Sequence, residues 1–155
     1  MPKSDEINAL RPWVQVAAFC HTAIIENTGH MSVIRITDRV NLAGITPEMQ
    51  SMPLQLTMAL LLKSDEMRGQ YQIKVRCVSP RGETTDGPEI PFLFGGADQG
   101  VQVVLPIGLI ATEQGLYWFE VMLEDVILTR VPLRVMYQRI QLPPGVQMPP
   151  SGLGS

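Results

Sequence analysis

The stretch GLYWFEVMLEDVILTRVPLRVMY, residues 115–137, decides the fold of this chain, because hydrophobic residues occupy nearly every second position along it. Side chains alternate between the two faces of a β-strand, so this period predicts two strands joined by a short turn. A loop of three residues, 124–126, keeps both halves of the pattern on one face and pairs Leu123 with Ile127. The expected inward set is Tyr117, Phe119, Val121, Leu123, Ile127, Thr129, Val131, Leu133 and Val135.

The opposite face of this hairpin combines an expected Glu120–Arg130 pair with an unusual number of apolar side chains. Several outward hydrophobic residues on one face indicate a covered surface. The cover is either a partner protein, including a second copy of the chain, or the N-terminal arm and the 38–53 connection of the same chain. Since proline cannot donate a ladder hydrogen bond, its strand is also expected near a sheet edge. The predicted interface consists of Trp118, Met122, Leu128, Arg130, Pro132 and Met136.

Length and composition indicate one globular domain. The chain has 155 residues, of which 45% are hydrophobic and 17% charged, and its net charge is −3. Scattered basic residues and a small negative charge argue against nucleic-acid binding. No apolar run approaches the ~18 residues of a membrane helix, and the first ten residues lack the pattern of a signal peptide. We therefore expect a cytoplasmic protein without a membrane segment.

The rest of the chain alternates in the same way and predicts further short strands. The turn Asn27-Thr28-Gly29 makes a second hairpin that pairs His21 with Arg35, and the connection 38–53 includes a helical turn near residues 47–50. A bulge is possible around Pro106 and Gly108. The predicted strands outside the 115–137 hairpin are 13–25, 31–37, 54–63, 70–79, 90–94 and 101–111.

Eight strands with almost no helix predict an all-β fold, an antiparallel β-sandwich of immunoglobulin-like or jelly-roll type. The sandwich is expected over residues 13–138, after a flexible arm at 1–12 and before a disordered, Pro/Gly-rich tail at 139–155. The residues predicted to face inward on the first two strands are Val14, Val16, Ala18, Cys20, Ile24, Ile34 and Ile36.

Four segments carry a resemblance: AFCHTAII, ENTGHMSVI, VRCVSPRGE and GLYWFEVMLEDVILTRVPLRV, which together span roughly residues 14–137. In these features the chain resembles a family of uncharacterised bacterial β-sandwich proteins. The resemblance implies the sandwich fold and no particular activity.

Few residues suggest chemistry. Cys20 and Cys77 both fall on expected inward faces, so two buried thiols are favoured over an inter-sheet disulfide. His21 and His30 lie at opposite ends of their hairpin, which argues against a shared metal ion. No cofactor site is predicted, and no nucleotide-binding or hydrolase motif occurs.

Two classes of function remain open. The sequence favours a non-enzymatic protein-interaction or assembly module, which associates with itself or with a partner subunit. The alternative is a carbohydrate-binding or hydrolytic β-sandwich, with Trp13 or Trp118 stacked on a sugar and carboxylates such as Glu120 and Glu124 in a cleft. The sequence contains no loop that holds both acids and aromatic residues.

Overall fold

The computed structural model describes residues 3–10, 12–96 and 98–146. Within these residues one short helix precedes nine strands, so the predicted all-β fold is confirmed. The elements are α1 (Lys3–Leu10), β1 (Trp13–Ile25), β2 (Met31–Thr37), β3 (Arg39–Gly44), β4 (Met52–Lys63), β5 (Arg68–Val78), β6 (Thr84–Gly95), β7 (Val101–Ala111), β8 (Gly115–Leu123) and β9 (Val126–Arg139).

The strands form two sheets. Sheet A has the order β2-β1-β4-β7, and sheet B has the order β3-β9-β8-β5-β6. Their apolar inner faces pack together, as the edge-to-face contact between Phe19 and Phe119 illustrates, with ring centroids 4.7 Å apart. Because the two aromatic rings come from opposite sheets, they join the halves of the core directly.

The β8–β9 hairpin follows the expected register from the Gly115–Val135 pair to the Val121–Thr129 pair, and the pairs nearer the turn depart from it. Phe119 pairs with Val131 as predicted, but the loop has two residues rather than three, and Leu123 pairs with Val126. Glu124 takes a left-handed conformation (φ 51°), as tight hairpin turns require. Because the loop is one residue shorter than expected, the register shifts by one residue next to Val121. As a result Ile127 is exposed and Leu128 packs against the core.

A second bulge reverses the predicted faces of β1 from Val16 onward, whereas Val14 packs against the core as predicted. The register with β4 shifts between Val14 and Val16, so Phe19, which is buried against Met58, points inward. Cys20 consequently lies on the outer face, beside Ile36. The expectation that Cys20 and Ile36 face the core was wrong, because one extra residue in a strand moves every later side chain to the other face.

The connection 38–53 contains a strand that the sequence did not indicate. β3 pairs in parallel with β9 from Arg39 to Gly44. The expected helical turn near residue 47 is absent from this described segment, where the Tyr137 hydroxyl donates to the Thr46 carbonyl at 2.7 Å. The possible bulge near Pro106 is also not observed, since β4 and β7 pair without a register shift.

The two chain ends differ from the expected flexible segments where the structure describes them. Residues 3–10 form α1, and Ile7 on this helix is 1% exposed. Lys3 Nζ donates to the Gln70 carbonyl at 2.9 Å and lies 5.2 Å from the ring centre of Tyr71. At the other end, the Ile140 amide donates to the Gly44 carbonyl at 2.7 Å. Most of the predicted disordered tail, residues 147–155, lies outside the described residues.

Candidate interaction surfaces

The hairpin face is the outer surface of β8 and β9, and it brings together five of the six predicted interface residues. Trp118 pairs with Pro132 across the two strands, and its side chain is 39% exposed. Arg130 and Met136 are also exposed, and Met122 is half-buried. Leu128 does not belong to this face, because the bulge turns it toward the core.

An ion-pair network occupies the centre of the hairpin face. The Glu120 carboxylate accepts hydrogen bonds from Arg76 at 2.8 and 2.9 Å and from Arg130 at 3.1 Å, and only 5% of the residue is exposed. Burial raises the pKa of the Glu120 carboxyl, but the hydrogen bonds and charges of both arginines outweigh that effect and hold the pKa below its usual value. Glu120 is therefore a structural anion without a free oxygen for catalysis.

The position of Pro132 fits the expected sheet edge in part. β9 lies inside sheet B, but its parallel partner β3 begins at the level of Arg134. Among the described strands, the half of β9 that includes Pro132 therefore pairs with β8 alone. Pro132 lacks an amide hydrogen, but no strand lies beside it on the side away from β8, so no hydrogen bond between strands is lost there.

The outer side of sheet A forms a second surface, which we call the uncharged face. Its rows are continuous across the sheet: Ile36 pairs with Cys20, Cys20 with Thr57, and Thr57 with Pro106. Ile36 and Ile110 are 68% and 67% exposed. The residues of this face are Val16, Ala18, Cys20, Thr22, Ile24, Ser32, Ile34, Ile36, Pro53, Gln55, Thr57, Ala59, Leu61, Gln102, Val104, Pro106, Gly108 and Ile110.

None of these side chains is charged. Charges lie only at its ends: Lys63, two residues after Leu61 on the same side of β4, pairs with Asp98 at 3.5 Å, and the Glu26 carboxylate accepts a hydrogen bond from Ser32. Arg35 lies on the edge strand β2. The outer side of sheet B differs sharply, since it carries Arg39, Lys74, Arg76, Glu89, Glu120, Arg130 and Arg134. A broad sheet face without charge is unusual for a surface in contact with water.

Sequence reasoning missed the uncharged face for a specific reason. The predicted faces of β1 and β2 were reversed, so Ile34 and Ile36 were expected in the core. The available signal was the low charge of the four segments that form sheet A. Apart from His21, Arg35 and Lys63, these strands contain no ionisable side chain other than the thiol of Cys20.

The remaining predicted chemistry is dispersed. Trp13 lies on sheet A and Trp118 on sheet B, so the two indoles do not form one stacking platform. The second hairpin has its expected register, with Glu26 donating its amide to the His30 carbonyl at 2.8 Å. Within the described residues, no three His, Cys, Asp or Glu side chains come close enough to hold one metal ion.

The two cysteines are free thiols, as predicted. Cys20 lies on the uncharged face, and its Sγ is 3.7 Å from the Thr57 carbonyl oxygen. Cys77 pairs with Phe119 on the inner side of sheet B, where burial raises its pKa to about 11. Both thiols are therefore protonated near neutral pH and are poor nucleophiles.

Comparison with known proteins places this arrangement in a family. Residues 15–136 match the model of a family of unknown function, DUF6941, and the chain belongs to this family. A comparison with curated proteins finds no match. No helix among the described residues is long and apolar enough to cross a membrane.

Solved structures with similar arrangements of strands include a β-glucosidase from Listeria innocua and an immunoglobulin-like protein from Pseudomonas aeruginosa. The β-glucosidase bound to isofagomine is 11% identical over 83% of this chain, with a TM-score of 0.48, and the ligand-free form is 10% identical with a TM-score of 0.47. This chain covers 17% of the β-glucosidase chain. The immunoglobulin-like protein is 15% identical over 81% of this chain and 96% of its own, with a TM-score of 0.38.

Proposed function

We propose that the chain is a non-enzymatic protein-interaction or assembly module that associates with a second copy of itself through the uncharged face. The observation that carries this proposal is a continuous outer sheet surface of eighteen uncharged residues, four of which are exposed isoleucines. Such a surface exposes apolar area to water, and that area is removed when a matching surface covers it.

The size of the uncharged face suits a dimer. The four strands lie about 4.8 Å apart and are about eleven residues long, at about 3.3 Å per residue. The plane of the sheet therefore measures roughly 700 Å², and the uneven surface of the side chains adds to this area. A standard interface buries about 800 Å² on each partner. The face is therefore about as large as one side of a stable complex.

Its chemistry also favours a second copy as the occupant. Two copies related by a two-fold axis present the same surface to each other, so a surface on which one sign of charge prevails meets the same sign on its partner. The uncharged face avoids this repulsion, although each chain has a net charge of −3. Two such sheets can stack about 10 Å apart with nearly aligned strands, as sheets do inside a sandwich.

The hairpin face is a weaker choice for the same role. To cover Trp118, a partner must also remove water from Arg130 and Arg134, which are exposed. Arg76 and Arg130 already form ion pairs with Glu120, so a new acidic partner would add little binding free energy at these arginines. Because the cost of desolvating charges often exceeds the energy gained from new pairs, this face is expected to stay in water.

The test is light scattering coupled to size-exclusion chromatography, with loading concentrations from about 1 to 100 μM. Association entropy offsets much of the apolar gain, so we expect a dissociation constant in the micromolar range. Ile36→Glu and Ile110→Glu each place a charge on the uncharged face, and Trp118→Glu is the matched control on the hairpin face. The first two variants should remain monomeric, and the control should dimerise like the wild type.

Each outcome has a definite meaning. A wild type that stays monomeric at 100 μM refutes self-association. A dimer that Trp118→Glu disrupts and Ile36→Glu does not would place the contact on the hairpin face. Circular dichroism of every variant tests whether it is folded, and Ile36, which is 68% exposed, is not part of the core.

We also propose that the chain acts in the cytoplasm. The free thiols of Cys20 and Cys77 fit a reducing compartment, because disulfides are common in oxidising ones. Fusion to a reporter that is active only in the cytoplasm tests this location, and activity of the export-dependent counterpart would contradict it.

A further inference from the structure

Strand β4 has a neighbouring strand on both sides over only part of its length. It pairs with β7 from Met52 to Leu62, but its pairing with β1 ends where Thr57 meets Cys20. Beyond this point β1 pairs with β2 alone among the described strands. Residues 52–56 therefore have no described strand beside them on the side away from β7, and we call this side of β4 the open edge.

The main-chain groups of Gln55 point to the open edge. Successive residues of a strand direct their N–H and C=O groups to opposite sides. Cys20 Sγ lies 3.7 Å from the Thr57 carbonyl oxygen, so Thr57 faces β1, and Gln55, two residues earlier, faces the same side. Pro53 has the same orientation but presents only its carbonyl, since proline lacks an amide hydrogen. No backbone hydrogen bond from a described turn or loop reaches these residues, so the open edge can accept a further strand.

The open edge ends in a concavity of about 430 Å³ at the point where β1 leaves β4. Gln55 and Leu56 of β4 line one side of it, and His21, Arg35 and Ile36 of the β1–β2 hairpin line the other. Natural ligand pockets have volumes of about 300–1,000 Å³, so this concavity has room for the end of a peptide.

The basic side chains at this concavity are not neutralised. His21 and Arg35 lie at the same level of the β1–β2 hairpin, both are exposed, and neither forms an ion pair with another described residue. Asp38, the acidic residue next along the chain, pairs with Arg39 at 3.2 Å. Arg35 also has a left-handed backbone (φ 56°), which is uncommon for a residue other than glycine. A permanent positive charge and a ring N–H donor thus border the end of the open edge.

We propose that the open edge binds the carboxyl-terminal end of an extended peptide, which adds to sheet A parallel to β4 and places its carboxylate at Arg35 and His21. Hydrogen bonds to the Gln55 main chain hold the added strand, and the charge pair selects its carboxyl end. Because β4 runs from Met52 toward Thr57, a peptide parallel to it brings its carboxyl end to the concavity. An amino-terminal end would bring like charge to Arg35. The site differs from the proposed self-association, because its occupant lies in the plane of sheet A and not on the outer side.

The experiment is surface plasmon resonance with the biotinylated chain immobilised at low density, which keeps the copies apart and prevents self-association. The probe is an acetylated hexapeptide of alternating threonine and valine with a free carboxyl end. Its carboxamide lacks the negative charge, and a version with proline at both central positions lacks the amide hydrogens that strand addition needs. We expect the free-carboxyl peptide to bind at least tenfold more tightly than the carboxamide, and the proline version not to bind.

Three variants separate the parts of the site. Arg35→Asn removes the charge and keeps the left-handed backbone, which asparagine adopts readily, so it should bind the free-carboxyl peptide no better than the carboxamide. Gln55→Pro removes the amide hydrogen on the open edge, away from β7, and should weaken the binding of both peptides at least tenfold. Arg134→Asn is the matched control, because it removes an exposed arginine from the outer side of sheet B and should change nothing.

Each part of the proposal can be refuted separately. A free-carboxyl peptide that does not bind at about 1 mM, or a proline version that binds equally well, would overturn the added strand. Equal affinity for the acid and the carboxamide would overturn the role of Arg35. If circular dichroism shows that Gln55→Pro does not fold, the proline version of the peptide still decides whether main-chain hydrogen bonds are used. A chain that binds the peptide but stays monomeric in light scattering would support this site and refute self-association.

Discussion

Helix α1 allows a quantitative prediction about the N-terminal segment, because one of its side chains, Ile7, is fully buried in the core and Leu10 packs beside that core. Ile7 is 1% exposed and belongs to the main hydrophobic cluster. Ile7→Ala removes three carbon atoms, which at about 0.8 kcal/mol each amounts to about 2.4 kcal/mol of lost transfer free energy. The cavity left behind adds to this loss, so we expect a decrease of about 2.5–4 kcal/mol in the free energy of unfolding.

The measurement is urea denaturation followed by tryptophan fluorescence and by far-UV circular dichroism. Asn8→Ala is the control, since Asn8 is exposed on the same helix, and it should change the stability by less than about 0.5 kcal/mol. A loss below about 0.5 kcal/mol for Ile7→Ala would refute the packing of α1 and would restore the flexible arm that the sequence predicts. An equal loss in both variants would show that helix formation, rather than burial of Ile7, is responsible.

The remaining predictions concern β6 and the ion-pair network. Gly87→Ala should destabilise the chain by about 1–3 kcal/mol in urea denaturation, because its Cβ meets the Val75 backbone, whereas Gly108→Ala, whose Cβ meets Gln55 at 3.6 Å, should stay within about 0.5 kcal/mol of wild type. Glu120→Gln should cost about 1.5–3 kcal/mol at neutral pH by weakening the charged hydrogen bonds. Since the pKa of Glu120 is lowered from 4.5 on folding, the wild type should lose its advantage over Glu120→Gln as the pH falls from about 4.5 through the folded-state pKa. A constant difference between the two proteins from about pH 3 to 7 would contradict this account.

The candidate surfaces illustrate where sequence reasoning succeeds and where it does not. Trp118, Pro132 and Met136 were correctly placed on an outward face, because they lie outside the bulge, where β8 and β9 keep the predicted register with Trp118 opposite Pro132. Leu128 was misplaced by one bulge, and Ile34 and Ile36 by another. A bulge inserts a single residue and leaves no composition signal, yet it exchanges the two faces of everything that follows.

The sequence by itself determined eight of the nine strands, since period two is a local property of each segment. It gave β1, β2 and β7 with the bounds that the structure has, and it placed Phe119 opposite Val131. These features depend on neighbouring residues only, so they are legible in one linear pattern.

Tertiary structure decided what each strand pairs with and which of its faces is covered. β3 is a short segment that becomes a strand only because β9 accepts it as a parallel neighbour, and α1 is held through Ile7 by the core it caps. The uncharged face arises from the same cause, because four strands from separate parts of the chain must lie side by side to form it. The free energy of these features comes from contacts between residues far apart in the chain, and such contacts exist only once the two sheets have packed.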